Sequence, residues 1–228
     1  PFIAGAISPE FTGAWYDPGQ PGHGLFLEVL PGDRMLAWWF SFDPAGTQQA
    51  WFGGVGTIDG DTATISQVVQ ATGGRWIPNF DPRQVSNTAW GSLSFRFTDD
   101  DHGTVTFNSG TGYGSGSMNL TRLTRPAVQT GAAGTGGIDA RYTGAWYDPA
   151  QSGHGLFMEN LGNGSVLAWW FTFAPGGGQA WFGGVGTILD ANRVQITFRR
   201  TTGGRWIPNF NPALVSNPEI GTVTLNFS

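Results

Sequence analysis

Apolar residues along this chain alternate with polar or small ones in short runs, broken by clusters of Gly, Pro and Asp. That period-two pattern belongs to half-buried strands. In the first half the runs fall at 11–16, 24–30, 35–42, 49–58, 62–70, 91–98, 104–108 and 115–123. Turn signals punctuate them: Pro31-Gly32-Asp33, Asp43-Pro44-Ala45-Gly46, Asp59-Gly60-Asp61 and Asp99-Asp100-Asp101-His102-Gly103. Eight consecutive antiparallel strands predict an up-and-down β-barrel, with a two-sheet sandwich as the alternative.

The pattern then starts again. Thr12-Gly13-Ala14-Trp15-Tyr16-Asp17-Pro18 returns as Thr143-Gly144-Ala145-Trp146-Tyr147-Asp148-Pro149, and Leu36-Ala37-Trp38-Trp39-Phe40 as Leu167-Ala168-Trp169-Trp170-Phe171. Segment 50–58 is identical to 180–188, and 72–80 to 202–210. This is a tandem duplication. It divides the chain into a first β module (1–125), a Gly/Ala-rich linker (126–140) and a second module (141–228). Ser228 aligns with Thr98, so the segment 99–124 has no counterpart, and the second module is expected to lack about two C-terminal strands. Truncation, or completion of the open edge by another chain, would account for that.

Strand parity sorts the connections. In an up-and-down meander, loops 17–23, 43–48, 71–90 and 109–114 share one end, and 31–34, 59–61 and 99–103 the other. The first end holds the loops shared by both copies, DPxQxGHG and TGGRWIPNF, and so resembles a ligand mouth. Arg75, Trp76 and Asn79, with their twins Arg205, Trp206 and Asn209, combine a planar cation, an indole and an amide. That set suits a hydroxyl-rich or carboxylate ligand. The structural alternative is that Trp76 and Phe80 plug the barrel end while Arg75 ties the loop down.

Asp17 and His23, repeated as Asp148 and His154, are the other candidates for this mouth, with Glu28 and Glu159 further along the strand. His23 and Glu28 are five residues apart, so a regular strand sends them to opposite faces, which argues against a metal triad. Asp, Pro and Gly at these spacings also describe a plain capped turn. A hydrolase using Asp17, His23 or Glu28 would need all three in one cleft, and no Ser or Thr sits in a nucleophile elbow. No catalytic residue is assigned.

In the paired tryptophans one ring must face inward and one outward. Leu36, Trp38, Phe40 and Phe42 form a wholly apolar row, which predicts Trp38 and Trp169 as core. Trp39 and Trp170 are then expected on the outer wall, as a sugar platform or an interface. Trp51 and Trp181 precede strand glycines over which aromatic rings can lie.

Composition narrows the chemistry. The 228 residues include 37 Gly, 11 Trp and 17 Phe but no Cys. The chain also lacks Lys, which removes Schiff bases and P-loops, while the missing Cys removes disulfides and thiolate catalysis. No cofactor is implied. A net charge of −5 without a basic stripe makes nucleic acid an unsuitable partner. No apolar run is long enough for a membrane-spanning helix. Segment 1–7 is too short, and lacks the basic start, for a signal peptide.

Gly13-x-Trp15-Tyr16 on the first strand, with Arg122 on the last, is similar to the calycin pattern of lipocalins and avidins. The resemblance implies a barrel whose basal Trp packs under an Arg from the final strand. The longer run GAWYDPxxxGHGLFxExL, LAWWFxF, AWFGGVGT and TGGRWIPNF resembles a repeat of exported bacterial proteins. It implies a secreted or surface location and no particular activity. The expected function is a non-enzymatic binding module with two equivalent mouths for a glycan or other polar ligand. A fibre or coat subunit, self-associating through the open edge of the second module, is the alternative.

Overall fold

A computed structural model describes residues 6–127 and 137–227. The first repeat is a closed antiparallel barrel in sequence order. Its strands are β1 (Gly13–Tyr16), β2 (Gly24–Leu30), β3 (Arg34–Phe42), β4 (Gln49–Asp59), β5 (Thr62–Thr72), β6 (Ser86–Phe97), β7 (His102–Ser109) and β8 (Gly114–Arg122). β8 closes on β1 through Trp15 opposite Arg122 and Tyr16 opposite Thr121. The second repeat is a six-stranded open sheet with the order of β1 to β6. It comprises β9 (Gly144–Trp146), β10 (Gly155–Asn160), β11 (Ser165–Phe173), β12 (Gln179–Ile188), β13 (Arg193–Arg199) and β14 (Glu219–Asn226). The expected barrel, and a second module two strands short, are both present. The linker expected at 126–140 lies mostly outside the described residues; Ala127 just before the gap donates its N–H to the Asn160 carbonyl at 2.7 Å.

Some strand starts differ from expectation: β1 begins at Gly13, β7 at His102 within the expected 99–103 turn, and β6 furthest from its expected start. β6 begins at Ser86, so the supposed 71–90 loop shrinks to its TGGRWIPNF part and a short 3-10 turn at Pro82–Gln84. The register shifts between Ile65 and Val69 in β5 let the strand bend and carry pairing that far.

Three apolar clusters hold the molecule. The interior of the closed barrel contains Trp15, Leu25, Leu27, Trp39, Phe52, Phe95 and Phe107, together with Trp206 and Ile207 of the second repeat. A second cluster is the seam between the repeats, where Phe26, Phe40, Phe42 and Trp51 meet Phe157, Phe171, Phe173 and Trp181. The third lines the open sheet around Met158, Ala168, Val194 and Phe198.

The seam corrects the inside and outside assignment of the paired tryptophans. Trp39 is 0% exposed and lies in the barrel interior, while Trp38 lies on the outer wall, stacked on Phe171 of the other repeat at 5.1 Å. Trp170 likewise packs toward the concave face of the open sheet, 6.1 Å from Phe198, and Trp169 stacks on Phe40 across the seam. The row Leu36, Trp38, Phe40, Phe42 is wholly apolar because it is buried against a second sheet. The row Met35, Ala37, Trp39, Ser41 keeps a hydroxyl because the barrel interior supplies it with a partner, His23. Period two is real on this strand, but both of its faces are buried.

Candidate functional site

The repeat-two loop leaves no open mouth in the barrel, and the repeat-one loop only partly fills the open sheet. Each TGGRWIPNF loop crosses the seam and docks on the other repeat. In the loop of repeat two, the Trp206 N–H reaches the Asp43 carbonyl at 3.2 Å and the ring enters the barrel of repeat one. It packs 4.8 Å from Trp39, 5.1 Å from Phe107 and 5.1 Å from Tyr113, and its indole N–H donates to the Tyr113 carbonyl at 2.8 Å. At 2% exposed, Trp206 offers no free face to a ligand. The reciprocal loop places the Trp76 N–H on the Ala174 carbonyl at 3.3 Å and its ring 4.8 Å from Trp170. The predicted plug therefore exists, but each plug fills the neighbouring repeat.

Glycine makes this docking possible. Gly204 lies flat on the Phe42 ring and Gly74 on the Phe173 ring, and a Cβ at either would overlap the aromatic carbons. After each Trp the chain turns through a cis proline, Pro78 or Pro208, and the turn is closed by the Asn79 N–H on the Trp76 carbonyl and by its twin Asn209 on Trp206. Arg205 packs over Gly46 and donates to the Ala45 carbonyl at 3.0 Å, tying its loop down. Arg75, Asn79 and Asn209 are exposed on the loop surface. Arg75 and Asn79 are thus outside the packed part of the loop that holds Trp76.

The DPxQxGHG segment forms a continuous Asp–Gln–His–Trp hydrogen-bond chain in repeat two, which in repeat one is interrupted between Gln20 and His23. Asp17 accepts from the Gly19 N–H at 2.8 Å and from the Gln20 amide at 3.1 Å. In repeat two, Asp148 accepts from the Ala150 N–H at 2.8 Å, and the Gln151 side-chain Oε1 faces His154 Nε2 at 3.3 Å. The indole N–H of Trp39 donates to His23 Nδ1 at 3.2 Å, as that of Trp170 does to His154 at 3.4 Å. Because an indole only donates, Nδ1 must accept and the imidazole proton sits on Nε2. His23 is buried, and desolvation pushes its pKa down to about 4; the Asp17 charge opposes the shift without overcoming it. Both histidines accept an indole N–H, His23 from the buried Trp39 and His154 from the half-buried Trp170, and so orient those rings.

Glu28 and Glu159 take the opposite face, as the five-residue spacing requires. Glu28 crosses the seam to accept the Ala145 N–H at 3.0 Å, and Glu159 accepts the Thr124 hydroxyl at 2.6 Å beside Gly13. Burial raises the pKa of Glu28 and pushes that of Glu159 up to about 7. Asp17, His23 and Glu28 therefore do not converge in one cleft. Among the described residues, no group of three or more His, Cys, Asp or Glu side chains could hold a metal ion. No helix among them is long and apolar enough to cross a membrane.

Sequence reasoning missed the glutamines that lock the seam. Gln49 donates to the Trp181 carbonyl at 2.7 Å and accepts the Trp181 N–H at 3.2 Å. Gln179 does the same to Trp51, at 2.6 and 3.1 Å. The only signal was that a Gln precedes Ala-Trp-Phe in both copies.

Two matching clefts lie along the seam. One cleft of about 360 Å³ is lined by Trp15, Tyr16 and His23 of repeat one and by Trp169, Trp181, Thr201 and Asn217 of repeat two. Its counterpart, about 300 Å³, is lined by Trp146, Tyr147 and His154 of repeat two and by Trp38, Trp51, Ala71 and Asn87 of repeat one. The two linings correspond almost residue for residue. Each has aromatic walls, a tyrosine and an exposed asparagine, and Trp169 is seated by Gly183, whose missing side chain makes room for its ring. The first cleft continues into a groove of about 450 Å³ that passes Gly184, Thr197 and the Arg199–Glu219 ion pair.

Compared with protein-family models, curated proteins and solved structures, the chain matches none of them. The fold and these clefts define an all-β double module whose repeats plug one another.

Proposed function

We propose that the chain is a non-enzymatic binding protein, and that it takes a glycan or similar hydroxyl-bearing ligand in the two seam clefts. The observation that carries this reading is the duplication of one cleft at two places. Each juxtaposes a tryptophan face, a tyrosine and an asparagine, which suits stacking on a sugar ring with hydrogen bonds at its edge. Of the expected mouth residues, His23 and His154 line the clefts themselves, while Trp206 and Trp76 pack behind them on Trp39 and Trp170. Arg75, Asn79, Arg205 and Asn209 remain on the exposed rim of the loops. Two equivalent sites on one chain gain avidity for a repeating polymer. Low charge, abundant Gly and the absence of Lys and Cys support a secreted or cell-surface location.

Calorimetric titration against a polysaccharide panel tests the reading. Asn87→Ala plus Asn217→Ala, both exposed positions, should weaken binding by about tenfold while leaving the circular-dichroism spectrum of the fold unchanged. Unchanged heats, or no heat from any polysaccharide, would remove the clefts as the site. A second reading, a subunit of an extracellular fibre or coat, draws on the unpaired edges β9 and β14. Concentration-dependent light scattering that grows without limit would favour it.

A further inference from the structure

The two clefts share a core but differ in what continues from it. Along the outer face of each repeat the strands line up the same rung of residues. In repeat one the rung runs Trp38, Gly53, Val69, Ala89, each the registered partner of the next on β3 to β6. In repeat two it runs Trp169, Gly183, Arg199, Glu219 on β11 to β14. Position for position, the repeats agree on the tryptophan and on the glycine that makes room for its ring. Beyond the glycine, one copy has an apolar pair where the other has an ion pair.

The fold does not call for that ion pair. Repeat one builds the same rung from Val69 and Ala89, and an exposed ion pair adds little to stability. Its placement in the cleft is what sets it apart. The first cleft and the groove of about 450 Å³ share Trp169, Thr201 and Asn217 as walls, and the groove adds Thr197, Arg199 and Glu219. Arg199 is braced there: its guanidinium donates to the Asn217 carbonyl at 3.1 Å and to Glu219, while the Asn217 amide oxygen accepts the Thr201 hydroxyl at 3.3 Å. The second cleft has Val69 and Ala71 in place of Arg199 and Thr201. Trp38, Val69 and Asn87 line that cleft on the outer wall of a closed barrel, so barrel closure does not cover this face.

We propose that Arg199 and Glu219 extend the first cleft into a longer site for a neutral oligosaccharide chain, in which neighbouring hydroxyls of the sugar beside Trp169 accept from Arg199 and donate to Glu219. This rests on the glycan reading of the clefts. The pair's chemistry selects the ligand. A guanidinium only donates and an ionised carboxylate only accepts, so side by side they match a vicinal diol, whose hydroxyls can each do either. Their charges cancel, so the pair does not favour an acidic sugar over a neutral one. The second cleft, with neither donor nor acceptor at these positions, stops at its tryptophan.

The test is calorimetric titration of the 228-residue chain with cello-, xylo- and malto-oligosaccharides of increasing length, from the disaccharide upward. Chito-oligosaccharides, whose internal rings carry an acetamido group in place of one neighbouring hydroxyl, are the control. Expected are two classes of site for a diol-bearing series, with only the tighter one gaining affinity as the chain lengthens, and no such gain in the chito series. Arg199→Val plus Glu219→Ala, which installs the residues of repeat one, should abolish the gain. It should weaken the tight site about tenfold for the longest oligomer and leave the disaccharide unaffected. The reciprocal Val69→Arg plus Ala89→Glu should confer the gain on the second site. Circular dichroism should not change in either variant, because each rung already exists in one copy. If the oligosaccharides bind and Asn87→Ala plus Asn217→Ala weakens them, but the Arg199 and Glu219 replacements leave the longest oligomer unaffected, the extension fails and the glycan reading stands. An equal length gain in the chito series also overturns the extension. Absence of binding by every series overturns both.

Discussion

The reciprocal plugs make a quantitative prediction about two identical loop segments. Trp206→Ala removes a ring enclosed by Trp39, Phe52, Trp90, Phe107 and Tyr113, along with its bond to the Tyr113 carbonyl. A tryptophan buries about 150–250 Å², worth about 5 kcal/mol at 25 cal/mol per Å², and residual burial in the unfolded chain lowers this to about 4 kcal/mol. Measured Trp→Ala losses in cores fall in the same range of about 3–5 kcal/mol. Trp76→Ala removes the same residue from an identical loop, but its ring borders an open cavity and has fewer aromatic neighbours. Its loss should be about half as large, near 2 kcal/mol. Urea denaturation followed by tryptophan emission and by far-ultraviolet circular dichroism measures both. Because each plug belongs to one repeat and fills the other, both probes should report a single transition. Equal losses from the two substitutions, or separate transitions for the two repeats, would refute the exchange of plugs.

Other expectations follow from the seam and its buried ionisable groups. His23 has a folded pKa of about 4 against an ordinary 6.5, so its contribution to stability is present above pH 6.5 and lost as pH falls from there to 4. The loss amounts to about 3 kcal/mol, read from denaturation at stepped pH. Glu159 has the opposite sign: with a folded pKa of about 7 against 4.5, stability declines as pH rises through that window. Glu159→Gln should therefore gain about 2 kcal/mol over the parent at pH 8 and nothing at pH 4.5; equal effects at both would contradict a buried neutral carboxyl. Gln49→Ala plus Gln179→Ala leaves four tryptophan backbone groups unpaired and should cost about 4 kcal/mol in the same assay. Gly204→Ala drives a methyl into the Phe42 ring and should expose Trp206 to acrylamide, whereas alanine at exposed Gly60 should not.

Local pattern carried much of the architecture. The strands of repeat one were legible because each has one consistent alternation and is bounded by Gly, Pro and Asp turns. β2 falls on its predicted span, and β6, which extends back to Ser86, departs furthest from its own. The capped turn at Asp17 was also legible, since Asp, Pro and Gly act on their own backbone. What failed was the choice of face for Trp38 and Trp39. Alternation fixes that the two rings oppose each other, but it names the interior only when the other side is wet. Here the other side of β3 is buried against β11, so the more apolar row was the outer one. The same reason hid the fate of Trp206.

The sequence alone therefore determined an all-β duplication, a first copy of eight consecutive strands, a second copy two strands short, and the alignment of the repeated motifs between them. Those properties depend on period, turn chemistry and repeat length, which are local. Only the tertiary structure decided that each repeat's identical loop fills its neighbour and that the histidines orient core indoles. It also decided that two matching clefts lie along the seam. These follow from how two copies of one surface meet, and a repeat read singly contains no record of the face its twin will cover.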